Sequence, residues 1–262
     1  MSAAAIDTAR EQGSFWPRLW AGIAIMLVWQ ITVRAFAPAY VATPIGIALA
    51  IPRIATDPTF LLSCGITLAA VAEGLVIALV VGTALGLLIG QSTLADRALR
   101  QYVNAGYTLP MIVVLPLVSL WFGYTGAARL ATIVFAALFS IVLNVADGAR
   151  AVPREYLEVA ASFRSGRWRV LFDIVLPAAM PYFLAGLRLA AGRALIGAVV
   201  AEFFTAIPGL GYFILFNSRT FHHNEAFVAV LVLAAFGVGC DALINEATRR
   251  YLPWYRRDEV RD

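Results

Sequence analysis

Residues 148–177 read Gly148-Ala-Arg-Ala-Val-Pro-Arg-Glu-Tyr-Leu-Glu-Val-Ala-Ala-Ser-Phe-Arg-Ser-Gly-Arg-Trp-Arg-Val-Leu-Phe-Asp-Ile-Val-Leu-Pro177. Pro153 suits the first turn of a helix, where its missing N–H would have no intrahelical partner. Glu155 and Glu158 complement the positive end of the helix dipole. Tyr156, Val159, Ala160 and Phe163 recur at i, i+3, i+4 and i+7, which is one helical face. Glu155, Glu158, Ser162 and Ser165 fall on the opposite face. The pattern predicts a short amphipathic helix that is too polar to cross a bilayer, although both of its flanks are apolar enough to do so. The residues leave two placements open: on a lipid surface, encouraged by Arg164, Arg167 and Arg169, or in the groove of another protein.

The surrounding chain has 262 residues, 61% of them hydrophobic and 14% charged, with a mean hydropathy of +0.80. A soluble domain is about 45–50% apolar and about 25% charged, so this composition excludes one, together with disordered, collagen-like and disulfide-framework chains. A helix crossing the hydrocarbon needs about 20 mostly apolar residues. Segments at 18–37, 64–90, 105–123, 128–147, 178–203 and 226–247 meet that requirement. The expected class is an all-α integral membrane protein with six transmembrane helices. Residues 1–17 form one tail, 18–250 the membrane domain with the amphipathic loop 150–176 inside it, and 251–262 a second tail. The first apolar run reads as a retained span, because Asp7, Arg10 and Glu11 precede it and no small-residue cleavage site follows.

All 20 basic residues are Arg. Without Lys, a phosphate-binding loop of the G-x-x-x-x-G-K-[ST] type and a Schiff base are both excluded. The net charge of +4 is a topology signal in a membrane chain, not a nucleic-acid signal. One set of connecting segments holds Arg10, Arg18, Arg97, Arg100, Arg150, Arg154, Arg164, Arg167, Arg169, Arg249, Arg250, Arg256, Arg257 and Arg261, and the other only Arg34, Arg53, Arg129 and Arg219. The first set belongs inside, which makes both termini cytoplasmic. Cys64 and Cys240 sit in or beside apolar runs and are expected as buried thiols. His222 and His223 are adjacent with no third ligand spaced nearby, so no metal site is expected. No nucleophile–base arrangement is recognisable, and no catalytic residue is assigned.

In the second span Gly74, Ala78, Gly82, Gly86 and Gly90 lie on one slowly drifting stripe where a neighbouring helix can approach closely, within one bundle or at an interface. Glu73, Arg188, Arg193, Glu202 and Asp241 fall within or near spans. A mid-bilayer charge costs at least about 2.5–3.5 kcal/mol, so each is expected to face protein or water. Arg188 has two readings, a snorkelling or helix-tethering residue or a pathway residue. Glu202, beside Phe203 and Phe204, is either half of a structural ion pair or a contact for the pathway or a docked protein. Glu73 and Arg193 are candidates for a cross-helix pair.

The run Glu158-Val-Ala-Ala-Ser-Phe163, continuing to Ile174-Val-Leu-Pro177 and Pro181, resembles the E-A-A…I-x-L-P signature of permease subunits of binding-protein-dependent ABC importers. The resemblance extends to Leu115-Pro-Leu…Leu-Trp-Phe-Gly123, Gly186-Leu-Arg188, Ala201-Glu202, Gly209-Leu-Gly211-Tyr and the ending Asp241…Arg249-Arg250-Tyr-Leu-Pro-Trp254. It is greatest to the branch that imports aliphatic sulfonates, taurine, nitrate and some pyrimidine precursors. The resemblance implies a type I importer-like fold in a bacterial plasma (inner) membrane. It further implies a permease homodimer in the lipid bilayer, served outside by a solute-binding protein and inside by ABC ATPase subunits that bind the ATP; the chain itself takes no cofactor and no nucleic acid. Glu155, Glu158, Ala160, Ala161, Phe163, Arg164 and Gly166 would then form the ATPase-coupling helix and its exit, with Glu73, Arg188, Arg193, Glu202, Phe203 and Phe204 as pathway or structural residues. This sequence departs from the family pattern at Arg164, where the family has Gly, which predicts that the turn after the coupling helix is shifted or uses another conformation. It also has Ala70 in place of a usual Arg, an unexpected Glu73, and Arg193 at an apolar position. The rival reading is an ion-coupled secondary transporter.

Overall fold

The computed structural model describes residues 15–36 and 40–251. Arg10, Arg256, Arg257, Arg261 and Trp254, and nearly all of both expected tails, lie outside the described residues. Among the described residues every regular element is helical: α1 (Phe15–Phe36), α2 (Pro44–Ile54), α3 (Pro58–Gln91), α4 (Thr93–Thr108), α5 (Met111–Phe122), α6 (Gly126–Arg150), α7 (Arg154–Ser162), α8 (Arg167–Val170), a π-helical turn Leu171–Val175, α9 (Leu176–Thr205), α10 (Leu210–Arg219) and α11 (His223–Tyr251). Starts are marked where the sequence marks them. The side chains of Thr43, Asp57 and Ser92 accept from the N–H groups of Gly46, Thr59 and Ala95, filling donors that a helix start leaves unpaired.

The core is a three-helix unit of α3, α6 and α9. The small-residue stripe of α3 faces α6 within the protomer. A Cβ added at Gly74 would lie 2.4 Å from Ile133, at Gly82 2.9 Å from Ile141, at Gly86 2.7 Å from Val145 and at Gly90 2.6 Å from Ala149. The constant offset shows that α3 and α6 run parallel with their backbones in close approach, as small residues permit. α9 runs antiparallel to α6: Gly186 packs on Asn144 and Gly197 on Ala136 and Ile133. Ala70, Ala78, Ile133, Ala137, Ile141, Ala190, Ala194 and Ala198 fill the space between. Large apolar side chains such as Ile25, Val80, Leu120 and Leu243 point outward. A membrane protein is free to expose them, because lipid is as apolar as they are.

Five helices, α1, α3, α6, the run Arg167–Thr205 and α11, are long and apolar enough to cross a bilayer. The expected third span at 105–123 is not one straight helix. It is α4 plus α5, bent by 103° at Leu109–Pro110. Pro110 has no N–H and pushes the residue before it out of the helical region, and Leu109 is extended at φ −63°, ψ 126°. Counting the bent pair as one span gives six. Farther along, Pro177 would clash with the carbonyl four residues back. The chain answers with the π-turn at 171–175, in which the Leu176 N–H reaches back to the Leu171 carbonyl.

Candidate functional site

The loop between α6 and α9 is rooted in the bundle by Ala149, Val152 and Val175, which pack with Val170, Leu171, Ile174 and Ala178. From that base α7 projects. Helix formation begins at Arg154, with Pro153 just outside it rather than in its first turn. Of the expected apolar face, only Ala160 is buried; Tyr156, Val159 and Phe163 are exposed, Phe163 at 80%. All four line an open groove of about 680 Å³ whose other wall is Val170, Ile174, Pro177 and Ala178. Glu155, Glu158, Ala161 and Ser162 are exposed on the remaining surface of α7. Ser165 lies past the end of the helix and lines the groove, instead of continuing the Glu155–Glu158 face.

The turn after α7 corrects one expectation. Arg164 replaces a residue suited to positive φ, yet the turn keeps that conformation: Arg164 sits at φ 51°. Its N–H donates to the Ala161 carbonyl at 2.9 Å, and the Ser165 N–H donates to the Ala160 carbonyl at 3.0 Å. The second bond closes the helix C-terminus in the manner of a glycine-terminated helix. Gly166 follows in an extended conformation and opens α8.

The intramembrane charges separate into neutralised and open ones. Glu202 is fully buried. It accepts from Thr67 Oγ1 at 2.9 Å, from the Gly211 N–H at 2.8 Å and from Arg129 Nη1 at 3.3 Å. Thr67 Oγ1 in turn accepts from the Leu210 N–H at 2.8 Å. Glu202 and Arg129 thus form a buried ion pair, and the hydrogen bonds around it join α3, α6, α9 and the start of α10. The Gly209-Leu-Gly211 turn exists for this approach. A Cβ at Gly209 would come within 2.2 Å of the carboxylate, and one at Gly211 within 2.7 Å of the Val199 carbonyl. Phe203 is half-buried and Phe204 exposed beside this node. Arg188 links α9 to α11: its Nε lies 2.8 Å from Asp241, and its Nη2 also donates to Asn245.

The cross-helix pair between Glu73 and Arg193 does not form within the protomer. Arg193 stacks on Tyr107, with its guanidinium carbon 3.8 Å from the ring centroid, and donates to the Tyr107 carbonyl at 3.2 Å. Glu73 is exposed on α3. Ala70 is buried in the core between α3 and its neighbours. Cys64 and Cys240 are free thiols, half-buried rather than fully buried. At the end of the bundle that carries α7, Asp96 on α4 pairs with Arg150, and Arg100 with Asp147 at 2.6 Å. At the other end a cavity of about 810 Å³ opens among Arg53, Asp57, Tyr212, Phe216, His222 and Glu225. Sequence reasoning missed Arg129, Thr67 and Tyr107, and no local signal marks them. Each is one half of a contact whose other half lies far along the chain.

Residues 78–251 match the family described as binding-protein-dependent transport system inner membrane component. The chain is 30% identical over 234 residues to the formylaminopyrimidine transport permease protein ThiX of Halalkalibacterium halodurans, covering 89% of this chain and 93% of that one. It is 30% identical over 198 residues to the nitrate import permease protein NrtB of Leptolyngbya laminosa, covering 76% and 71%. A solved chain from the crystal structure of an amino acid ABC transporter with histidines has a TM-score of 0.63 at 16% identity, covering 76% of this chain and 97% of that one. At that identity the likeness is one of fold.

Proposed function

We infer the working parts of this chain from one premise: it belongs to the binding-protein-dependent inner membrane components, the membrane-spanning permease subunits of ABC importers. That membership replaces the ion-coupled carrier. The chain is a translocation subunit, and its partners are of two kinds, an ATPase and a solute-binding protein.

The α7 segment is the coupling element that an ATPase subunit grips. The observation that carries this reading is the exposed row Tyr156, Val159 and Phe163 on a short helix rooted in the bundle by its base alone. Such a row offers apolar anchors at helical spacing for insertion into a partner's cleft. Glu155, Glu158, Ala161, Arg164 and Gly166 would form the polar rim of that contact. The excess of Arg at this end supports a cytoplasmic position for it, and for both termini, in a bacterial inner membrane. The wide cavity among Arg53, Tyr212 and Glu225 then opens outward, where a solute-binding protein delivers its cargo. Two copies of the chain enclose the pathway. Closure of the ATPases pulls the two α7 helices together and rocks the bundles, alternating access. The chain binds no ATP and catalyses no reaction; it converts the partner's movement into opening.

The solute is small, of the sulfonate-, taurine- or nitrate-like kind, or a pyrimidine precursor as for the ThiX relative. The test is uptake into proteoliposomes that contain this chain with its cognate ATPase and solute-binding protein. Labelled nitrate, ethanesulfonate and formylaminopyrimidine serve as probes. Uptake of at least one that needs ATP and the binding protein, and survives collapse of ion gradients, is the expected result. Uptake driven by an ion gradient without ATP would overturn the reading.

A further inference from the structure

Resting on the importer reading, we infer that Arg193 is an anion-selecting position in the translocation pathway, and that the solute therefore carries negative charge. Arg193 lies in α9, 12 residues before its end at Thr205 and 17 after its start at Leu176. That is roughly 18 Å from one end and 26 Å from the other at 1.5 Å per residue, well inside the hydrocarbon. Two other intramembrane charges are neutralised nearby, Glu202 by Arg129 and Arg188 by Asp241. None of the ion pairs among the described residues includes Arg193.

Its guanidinium is held instead by neutral partners, the Tyr107 ring and the Tyr107 carbonyl. These fix its position without cancelling its charge. The carbonyl uses one N–H, and a guanidinium has five. Arg193 itself lines a cavity of about 270 Å³ at the bend between α4 and α5, together with Thr108, Met111, Phe135, Phe139 and Ile196. A full positive charge with unused donors, half-buried beside a largely apolar hollow of small-solute size, attracts an anion more strongly than it would in bulk water. A guanidinium is also shaped for planar oxyanions such as nitrate, and for sulfonates. Lipid cannot be its neighbour at this depth, so the face of α9 bearing exposed Leu189, Gly192 and Ile196 looks onto water or protein. A neutral pyrimidine derives nothing from such a charge and leaves it unmet.

The test compares uptake by the complete importer, with its ATPase and solute-binding protein, for the wild type, Arg193→Gln, Arg193→Lys and Glu73→Gln. Nitrate and ethanesulfonate are the anionic probes and formylaminopyrimidine the neutral one. Wild type is expected to import an anion. Arg193→Gln should lower that uptake at least tenfold while retaining the ATPase subunit, and Arg193→Lys should recover part of it by restoring charge. Import of the neutral probe alone by the wild type would overturn the inference and leave the importer standing. So would unchanged anion uptake in Arg193→Gln. Loss of the ATPase from both Arg193 variants would make the residue a clamp on the α4–α5 bend. An equal loss in Glu73→Gln would make it half of an ion pair between subunits. Either result overturns anion selection. Absence of ATPase from the wild-type complex is the separate result that fails the importer reading.

Discussion

Glu202 illustrates what a single buried charge demands. Its carboxylate is supplied by a hydroxyl, a backbone N–H and a guanidinium from elements far apart in the chain. Removing one member of a buried pair strands the other, at a cost of about 3–5 kcal/mol. Glu202→Ala should therefore lower the thermal midpoint of the detergent-solubilised protein sharply. Glu202→Gln should cost less, since an amide oxygen still accepts from Thr67 and Gly211; equal midpoints for wild type and Glu202→Ala would contradict the node. The sequence marks Glu202 and the Gly209–Gly211 turn as notable. Arg129 reads there only as a charge in a connecting segment, because a contact with Glu202 across 73 residues leaves no local trace. Arg164 presents the opposite case, in which a departure from the expected residue is visible and its consequence is not. The left-handed conformation costs a side chain about 1–2 kcal/mol, while Gly gives back up to about 1 kcal/mol through the freer unfolded chain. Arg164→Gly should thus stabilise by about 0.5–1 kcal/mol, read as a raised midpoint. A lowered midpoint would mean that the Arg side chain does more than occupy the turn.

At the level of elements, periodicity and composition disclose most of the helices, and the misreading at 105–123 has a specific cause. Apolar content continues through Leu109–Pro110, so a hydropathy window sees one span, whereas the dihedral restriction from Pro110 breaks it. The proline was the available signal. The small-residue stripe of α3 was legible as a close-approach surface, but only the coordinates identify α6 as its partner and set the two helices parallel. Gly86→Val would drive a branched side chain into Val145 and the Val142 carbonyl, which stand 2.7 and 2.9 Å from an added Cβ. Overpacking of this kind costs about 1–3 kcal/mol or more. It should appear as aggregation or a broadened size-exclusion profile. Gly65→Ala, whose Cβ meets nothing within 4 Å, is the matched control and should behave as wild type. Equal behaviour of the two variants would contradict the packing.

Across the whole molecule, the E-A-A-like run points to the permease class through its resemblance to that family's signature; the amphipathic pattern alone leaves a lipid surface and a partner's groove both open. In the structure Tyr156, Val159 and Phe163 are exposed and line an open groove against Val170, Ile174, Pro177 and Ala178. The solute is not written so plainly, because the charges that bear on it act through contacts between distant helices. In the proposed importer, force enters this chain through α7. Co-purification of the tagged chain with its cognate ATPase subunit, wild type against Glu158→Lys, tests it most directly. The substitution reverses a charge on the exposed surface of α7 without touching a membrane span. Wild type should retain the ATPase, and a folded, membrane-inserted Glu158→Lys variant should lose most of it. Equal recovery of the ATPase with both proteins would contradict the account.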